Sequence, residues 1–140
     1  MPLFPSRDWA QAAMALLNAD PETIAAGRGW HGDFGLGIEA EVGKLEKHFV
    51  AWVRPEAGRV AELRLLPDPD DLDEFEPAYR IRAPYSVWKG LLLGSVDPVE
   101  AILKRRLRVD GDVQPILERM RYKDIAARVL SRLETRFIDE

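Results

Sequence analysis

The stretch that decides the fold is "YSVWKGLLLGSVDPVEAILKRRLRVDGD", residues 85–112. Trp88 and the leucines at 91–93 fill four of six consecutive positions ahead of Gly94. A helix that buries a single stripe needs fewer apolar positions than this. Since the stretch contains no evident nucleophile, metal-ligand cluster or phosphate-binding loop, its apolar surface calls for another explanation.

Proline and aspartate divide this stretch into short elements. A helix is expected from Pro84 or Ser86 through Leu92, and Asp97 followed by Pro98 opens another. The segment "LRVDG" that comes next is typical of a short strand ending in a turn.

The "DGD" segment marks the start of a further helix. Gly111 is expected to have a positive φ, because Asp-Gly between a strand and a helix favours that conformation. Asp112 is expected to cap the helix. The apolar positions of this helix, at helical spacing, are Val113, Ile116, Leu117 and Met120.

The N-terminal part predicts two helices followed by strands. Ser6 is placed to cap "RDWAQAAMALLNAD", and Asp20 with Pro21 opens the shorter "PETIAAGRG". From Asp33 the apolar period changes to two, which predicts a half-buried strand. "KHFVAWVR" and "RVAELRLL" continue it as an antiparallel meander, and "AYRIRAP" predicts a fourth strand. The intervening "PDPDDLDEFEP" has too many acids and prolines for a sheet and predicts an exposed loop.

Composition limits the class of protein. A chain of 140 residues is the length of one domain. Without cysteine, disulfides and thiol catalysis are excluded. The start "MPLFPSRDWAQ" lacks the pattern of a signal peptide, and no apolar run is long enough to cross a bilayer. We therefore expect a soluble cytoplasmic protein, and a net charge of −4 argues against nucleic-acid binding.

Sequence patterns that partly match motifs for cofactors, metals or catalysis lack the residues or the structural context that those motifs need. "GLGIEA", residues 35–40, fits the dinucleotide pattern but lies in a strand instead of opening a helix. The acidic loop has Asp73 and Tyr79 where a calcium-binding loop needs glycine and glutamate. His31 and His48 have no neighbouring ligands at zinc-site spacing, and no serine lies in a nucleophile elbow. We predict no catalytic residue, metal or cofactor.

The order of these features resembles the sterol carrier protein 2 family of lipid-transfer domains. The resemblance rests on "WAQAAMALLNAD" and "AAGRGWHGDFGLGIEAEVG", followed by the opening stretch: a tryptophan-containing helix, a glycine, an Asp-Pro helix, a basic turn and a strand ending in Gly-Asp. It covers about residues 4–120.

The resemblance implies an α+β fold. The expected sheet is mixed and five-stranded, of order 3-2-1-4-5, covered by helices on one face with an apolar tunnel between them. Residues 1–121 would form the lipid-binding domain and 122–140 a C-terminal extension of the same domain.

The resemblance also implies a non-enzymatic protein that binds and transfers a sterol, fatty acid, acyl-CoA, phospholipid or isoprenoid, with at most transient membrane contact. Apolar burial alone can hold such a ligand, which would explain the apolar surface. The expected tunnel residues are Trp88, Leu92, Ile102, Leu103, Leu117 and Met120, with Val50 and Trp52 from the sheet. The alternative is an assembly or enzyme-accessory module of the same fold whose pocket is filled by its own side chains.

The C-terminal segment departs from this family, whose members end soon after the helix that follows Gly-Asp. Because Lys123 and Asp124 interrupt the apolar stripe, we expect a break near Tyr122 and an extra helix from Ile125 to Phe137, capped by Asp124.

The apolar face of this extra helix must be covered, either over the mouth of the tunnel, elsewhere on its own domain, or by a second copy in a homodimer. Beside it, Arg128, Arg132 and Arg136 form a basic edge suited to the acidic residues 68–76 or to anionic lipid headgroups.

Overall fold

The computed structural model describes residues 1–140 and contains six α-helices and seven strands. The helices are α1 (Arg7–Ala19), α2 (Pro21–Gly27), α3 (Tyr85–Leu93), α4 (Pro98–Leu103), α5 (Val113–Leu117) and α6 (Met120–Leu130). The strands are β1 (Leu3–Phe4), β2 (Phe34–Glu39), β3 (Phe49–Glu56), β4 (Arg59–Leu66), β5 (Tyr79–Pro84), β6 (Arg108–Asp110) and β7 (Arg136–Phe137). None of the helices combines the length and the apolar character needed to span a membrane.

Five of the strands form one mixed sheet in the order β4-β3-β2-β5-β6. β3 pairs antiparallel with β2 and β4, β5 pairs parallel with β2, and β6 pairs antiparallel with β5. Numbered along the chain, these five strands have the predicted order 3-2-1-4-5. The predicted α+β fold is confirmed.

Alternation along β2 separates the two faces of the sheet. Phe34 and Leu36 point toward the α-helices, whereas Gly35 points to the other face, where the short 3-10 helix Pro69–Glu74 packs. A Cβ atom on Gly35 would lie 2.8 Å from Cδ1 of Leu72 in that helix. The absence of a side chain at this position therefore lets the 3-10 helix approach the strand closely.

The acidic segment predicted to be an exposed loop contains this 3-10 helix. The Asp68 side chain accepts from the backbone N–H of Asp70, and the Asp71 side chain accepts from that of Asp68, which closes a capping box. Leu72 is buried with Trp52 at the centre of the segment. The carboxylates thus cap a helical turn that buries one apolar side chain, Leu72. The acidic composition of the segment did not indicate this turn.

Four of the predicted helix caps are confirmed. Ser6, Asp20, Asp97 and Asp112 each accept a hydrogen bond from a backbone N–H in the first turn of the helix that follows. Gly111 has a φ of +119°, as expected.

The predicted break in the C-terminal part lies elsewhere. α6 begins at Met120 and continues through Asp124, which caps nothing, so a break near Tyr122 and a helix starting at Ile125 are wrong. Tyr122 itself extends the apolar stripe of Ile125 and Val129, and Asp124 falls on the exposed side. The predicted division after residue 121 consequently falls inside α6.

The end of the segment predicted to be a helix, Arg136–Phe137, is a strand. α6 ends at Leu130, and β7 pairs in parallel with β1, burying Phe137 against Phe4. Arg128 pairs with Glu22 at 2.7 Å, and not with the acidic segment. Ile125, Val129 and Phe137 are therefore buried by the chain itself, and a homodimer through this region stays a prediction.

Candidate functional site

A cavity of about 380 Å³ lies between the sheet and the α-helices. Its volume falls within the range of small-molecule sites in proteins. The apolar side chains that line it are Leu17, Ala26, Trp30, Phe34, Leu36, Val53, Pro55, Val60, Ile81, Pro98, Ile102, Leu107, Val109, Ile116, Met120 and Tyr122.

The sheet provides the floor of the cavity through the register of four strands. Phe34 pairs with Val53, Leu36 with Ile81, and Ile81 with Val109. Side chains of directly paired residues point to the same face. The period-two pattern of the sequence thereby becomes a continuous apolar surface.

The helices provide the opposite wall. Leu17 of α1, Ile102 of α4 and Ile116 of α5 face the floor, together with Met120 and Tyr122 of α6. The Tyr122 hydroxyl donates to no other group of the chain, and burial raises the pKa of Tyr122. Among these five side chains the Tyr122 hydroxyl is the one polar group, and it has no hydrogen-bonding partner in the protein.

All the charged residues that line the cavity are cations: Arg59, Arg119 and Lys123. The Lys123 ammonium lies 2.6 Å from the carboxylate of Asp124. Arg59 has neither a carboxylate within 4.0 Å nor a side-chain hydrogen bond, so it is available to a bound molecule. The edge of the cavity is therefore suited to a negative group.

Arg119 has a structural part in the same edge. Its guanidinium donates to the backbone carbonyls of Ala26 and Arg28 at 3.3 and 3.1 Å. It also lies 5.8 Å from the ring centroid of Trp30, which stacks on Phe34 at 5.6 Å. These contacts fix the segment after α2 beside the cavity.

The turn that presents Arg59 is fixed as well. The amide of Asn18 exchanges two hydrogen bonds with the backbone of Val60, at 2.9 and 2.7 Å. Gly58 has a φ of +82° and lies so close to α2 that a Cβ would be 2.0 Å from the carbonyl oxygen of Ile24. The β3–β4 turn is thereby held against α1 and α2.

Two of the predicted tunnel residues, Ile102 and Met120, line this cavity. Leu103 follows Ile102 but is 73% exposed, and Leu117 at the end of α5 is half-buried outside the lining.

The other four predicted residues pack elsewhere. Trp88 and Leu92 contact a hydrophobic cluster that includes Tyr85, and the Trp88 indole donates to a backbone carbonyl of β2. Val50 and Trp52 lie on the opposite face of the sheet, with the 3-10 helix. None of these four side chains lines the cavity.

Strict alternation in the sequence separates the two faces of each strand, and the pairing between strands decides which face lines the cavity. Position 34 points to the helices, its partner in β3 is Val53, and Trp52 must then point away. The three cations had no such signal, because their approach to one cavity depends on elements far apart in the chain.

The comparisons with known proteins agree with this architecture. The sequence profile of the SCP-2 sterol transfer family matches residues 31–121. A crystal structure of sterol carrier protein 2 superposes with a TM-score of 0.76 at 18% identity, over 92% of this chain and 98% of that one. A conserved hypothetical protein of Thermus thermophilus, suggested to be a sterol carrier protein, superposes with a TM-score of 0.78 at 17% identity, over 94% and 90% of the two chains.

More distant structures share the fold. The UbiJ-SCP2 ubiquinone synthesis protein superposes with a TM-score of 0.53 at 15% identity, over 90% of this chain and 95% of that one. At such identities the likeness concerns the fold alone. No curated protein matches the chain in sequence.

Proposed function

The chain belongs to the SCP-2 sterol transfer family, and on that basis we propose that the cavity binds the apolar part of a lipid and carries it without chemical change. The observation that carries the proposal is an open, apolar volume of about 380 Å³ between sheet and helices. Each methylene group moved from water into such a volume contributes about 0.8 kcal/mol, so a long chain is held without any catalytic group.

The edge of the cavity favours a ligand with an anionic headgroup. Its three charged residues are all cations, and Arg59 has no partner of its own. The Tyr122 hydroxyl adds an unused hydrogen-bonding group. A fatty acid or another single-chain lipid acid satisfies both the apolar walls and this edge, whereas a neutral sterol would leave Arg59 without a counter-ion.

An assembly module with a filled pocket is the alternative. Two large side chains that were expected to line the tunnel, and that could have filled it instead, lie elsewhere: Trp88 packs against the hydrophobic cluster that includes Tyr85, and Trp52 packs with the 3-10 helix. The volume left between the layers supports the carrier over that alternative.

Extraction of the purified protein with organic solvent, followed by mass spectrometry, tests the proposal. A carrier yields one lipid per chain, or binds an added fluorescent fatty acid stoichiometrically. A protein that neither retains a lipid nor binds the fatty acid would count for the assembly module.

A matched pair of variants locates the ligand. Met120→Glu places a carboxylate in the cavity wall, at the first turn of α6 where the helix dipole tolerates an acid. Arg121→Glu introduces the same side chain one residue later, on the exposed side. We expect the first variant to lose fatty-acid binding and the second to retain it; equal binding by both would place the ligand elsewhere.

A further inference from the structure

The turn between α4 and β6 exposes one leucine beside three cations. Leu103 is 73% exposed, and Lys104, Arg105 and Arg106 follow it at the surface. Lys104 pairs with Glu100, but neither arginine has a carboxylate within 4.0 Å. An apolar side chain next to uncompensated cations is the combination that interfacial membrane segments use.

The backbone holds these four residues outward. Arg105 has a φ of +58°, and the N–H groups of Arg106 and Leu107 both donate to the carbonyl of Ala101. Ala101 and Leu107 are buried in one hydrophobic cluster, so the residues that connect Ile102 to Leu107 cannot turn inward. The exposure of Leu103 is therefore a property of a closed, well-packed turn.

The charge distribution orients this turn. The chain as a whole is acidic, with a net charge of −4. The densest acidic segment, residues 68–76, packs on the other face of the sheet from the α-helices. A negative surface would repel that face and attract the turn after α4, so the molecule would approach with the turn first.

We propose that residues 103–106 form a docking surface for a bilayer containing anionic lipid, in which Leu103 enters the headgroup region and Arg105 and Arg106 contact the headgroups. A bilayer with anionic lipid matches both components of the surface, since its headgroups attract the arginines and the apolar region just beneath them accepts Leu103. Ile102 and Leu107, which flank the docking surface, line the cavity from the inner side of the same turn. Docking thus brings the cavity wall next to the membrane.

Sedimentation with phosphatidylcholine vesicles, with and without phosphatidylserine, tests the docking surface. We expect the full chain to bind only the vesicles that contain phosphatidylserine, and to be released by salt because exposed charges are screened. The double variant Arg105→Asn/Arg106→Gln should bind at least about tenfold more weakly, since each cation near an anionic surface contributes to affinity. Asparagine tolerates the left-handed backbone at position 105.

Matched controls separate this surface from general effects. Arg7→Gln/Lys47→Gln removes two exposed cations elsewhere and should bind vesicles as the natural chain does. Leu103→Ser should weaken binding, whereas Val42→Ser, at a fully exposed valine, should not.

Three results would overturn the docking surface. The first is an absence of vesicle binding by the natural chain. The second is an equal loss of vesicle binding in the Arg105/Arg106 and the Arg7/Lys47 double variants. The third is binding to polyglutamate without binding to vesicles, which would assign the turn to an acidic protein. The docking surface is independent of the cavity ligand: the Arg105/Arg106 variant should still bind fluorescent fatty acid in solution, and Met120→Glu should still sediment with vesicles.

Discussion

The Tyr85 hydroxyl donates a hydrogen bond of 2.7 Å to the carboxylate of Asp139, 54 positions later in the sequence. Lys89, one turn further along α3, donates to the same oxygen at 3.0 Å. Tyr85 is fully buried and contacts Phe4 and Phe137, the paired residues of β1 and β7. The Asp139 carboxylate thus holds the C-terminal end of the chain on α3, and the N-terminal end is held there through the pairing of β1 with β7.

Removing this bond should destabilise the protein without touching the cavity. In Tyr85→Phe the ring stays and only the hydroxyl is lost, so we expect the free energy of unfolding to fall by about 1 kcal/mol. Urea denaturation measures the change. Glu140→Gln, which alters a neighbouring but exposed partner of Lys89, is the control and should have little effect. Equal stability of Tyr85→Phe and the natural chain would show that the bond contributes nothing.

The same group gives a pH dependence with a defined sign. The hydrogen bonds from Tyr85 and Lys89 hold the pKa of Asp139 below its ordinary 3.8. A lowered folded-state pKa contributes stability that is present above the ordinary value and is lost as the pH falls through the folded value. Burial and the bond to Asp139 raise the pKa of Tyr85 to about 12, so its contribution is present below 10.0 and is lost as the pH rises from there. Urea midpoints should decline at both extremes, and the decline at high pH should be smaller in Tyr85→Phe.

Two glycines on one face of β2 should respond differently to alanine. A Cβ at Gly35 would meet Leu72 at 2.8 Å, and one at Gly37 would meet Arg82 at an ordinary 3.4 Å. We expect Gly35→Ala to cost about 1–3 kcal/mol by displacing Leu72, and Gly37→Ala to cost less. Thermal or urea unfolding of the two variants measures the loss in each. An equal loss in the free energy of unfolding would mean that Leu72 moves aside freely.

The turn that presents Arg59 offers a second matched pair. Gly58 and Gly43 both have positive φ, +82° and +78°, but a Cβ at Gly58 would meet the Ile24 carbonyl whereas one at Gly43 meets nothing within 4 Å. Alanine at either position has a backbone cost of about 1–2 kcal/mol. Only Gly58→Ala adds a clash with α2, so it should be clearly the less stable variant in urea. Similar losses at both positions would show that α2 yields easily.

Arg59 should determine the preference for an acidic headgroup. We expect Arg59→Gln to weaken the binding of a fluorescent fatty acid by about tenfold, the size of one charge-assisted contact at a partly exposed site. The corresponding fatty alcohol, which has the same chain and no charge, should bind both proteins alike. Competition titrations with the two ligands measure the ratio of their affinities in each protein. If Arg59→Gln weakened the binding of the acid and of the alcohol equally, Arg59 would contribute through packing and not through its charge.

Much of the fold followed from local spacing in the sequence. Ser6, Asp20 and Asp112 cap helices because each lies just before a first turn, and a cap acts only over three residues. The alternation of Phe34 and Leu36 with glycine predicted that β2 is a strand with one apolar face. The order of the elements, with the resemblance it carried, led to the strand order that the structure has.

The cavity and the C-terminal strand were decided by tertiary structure. Leu92 and Ile102 are equally apolar, yet one packs into a cluster with Tyr85 and the other lines the cavity. Composition cannot distinguish a side chain that fills a space from one that borders it, because both are buried for the same reason. Phe137 lies in a strand rather than a helix because its partner, Phe4, comes from the opposite end of the chain. A pairing over that separation leaves no periodic pattern in the sequence, since only the packing of the intervening elements brings the two ends together.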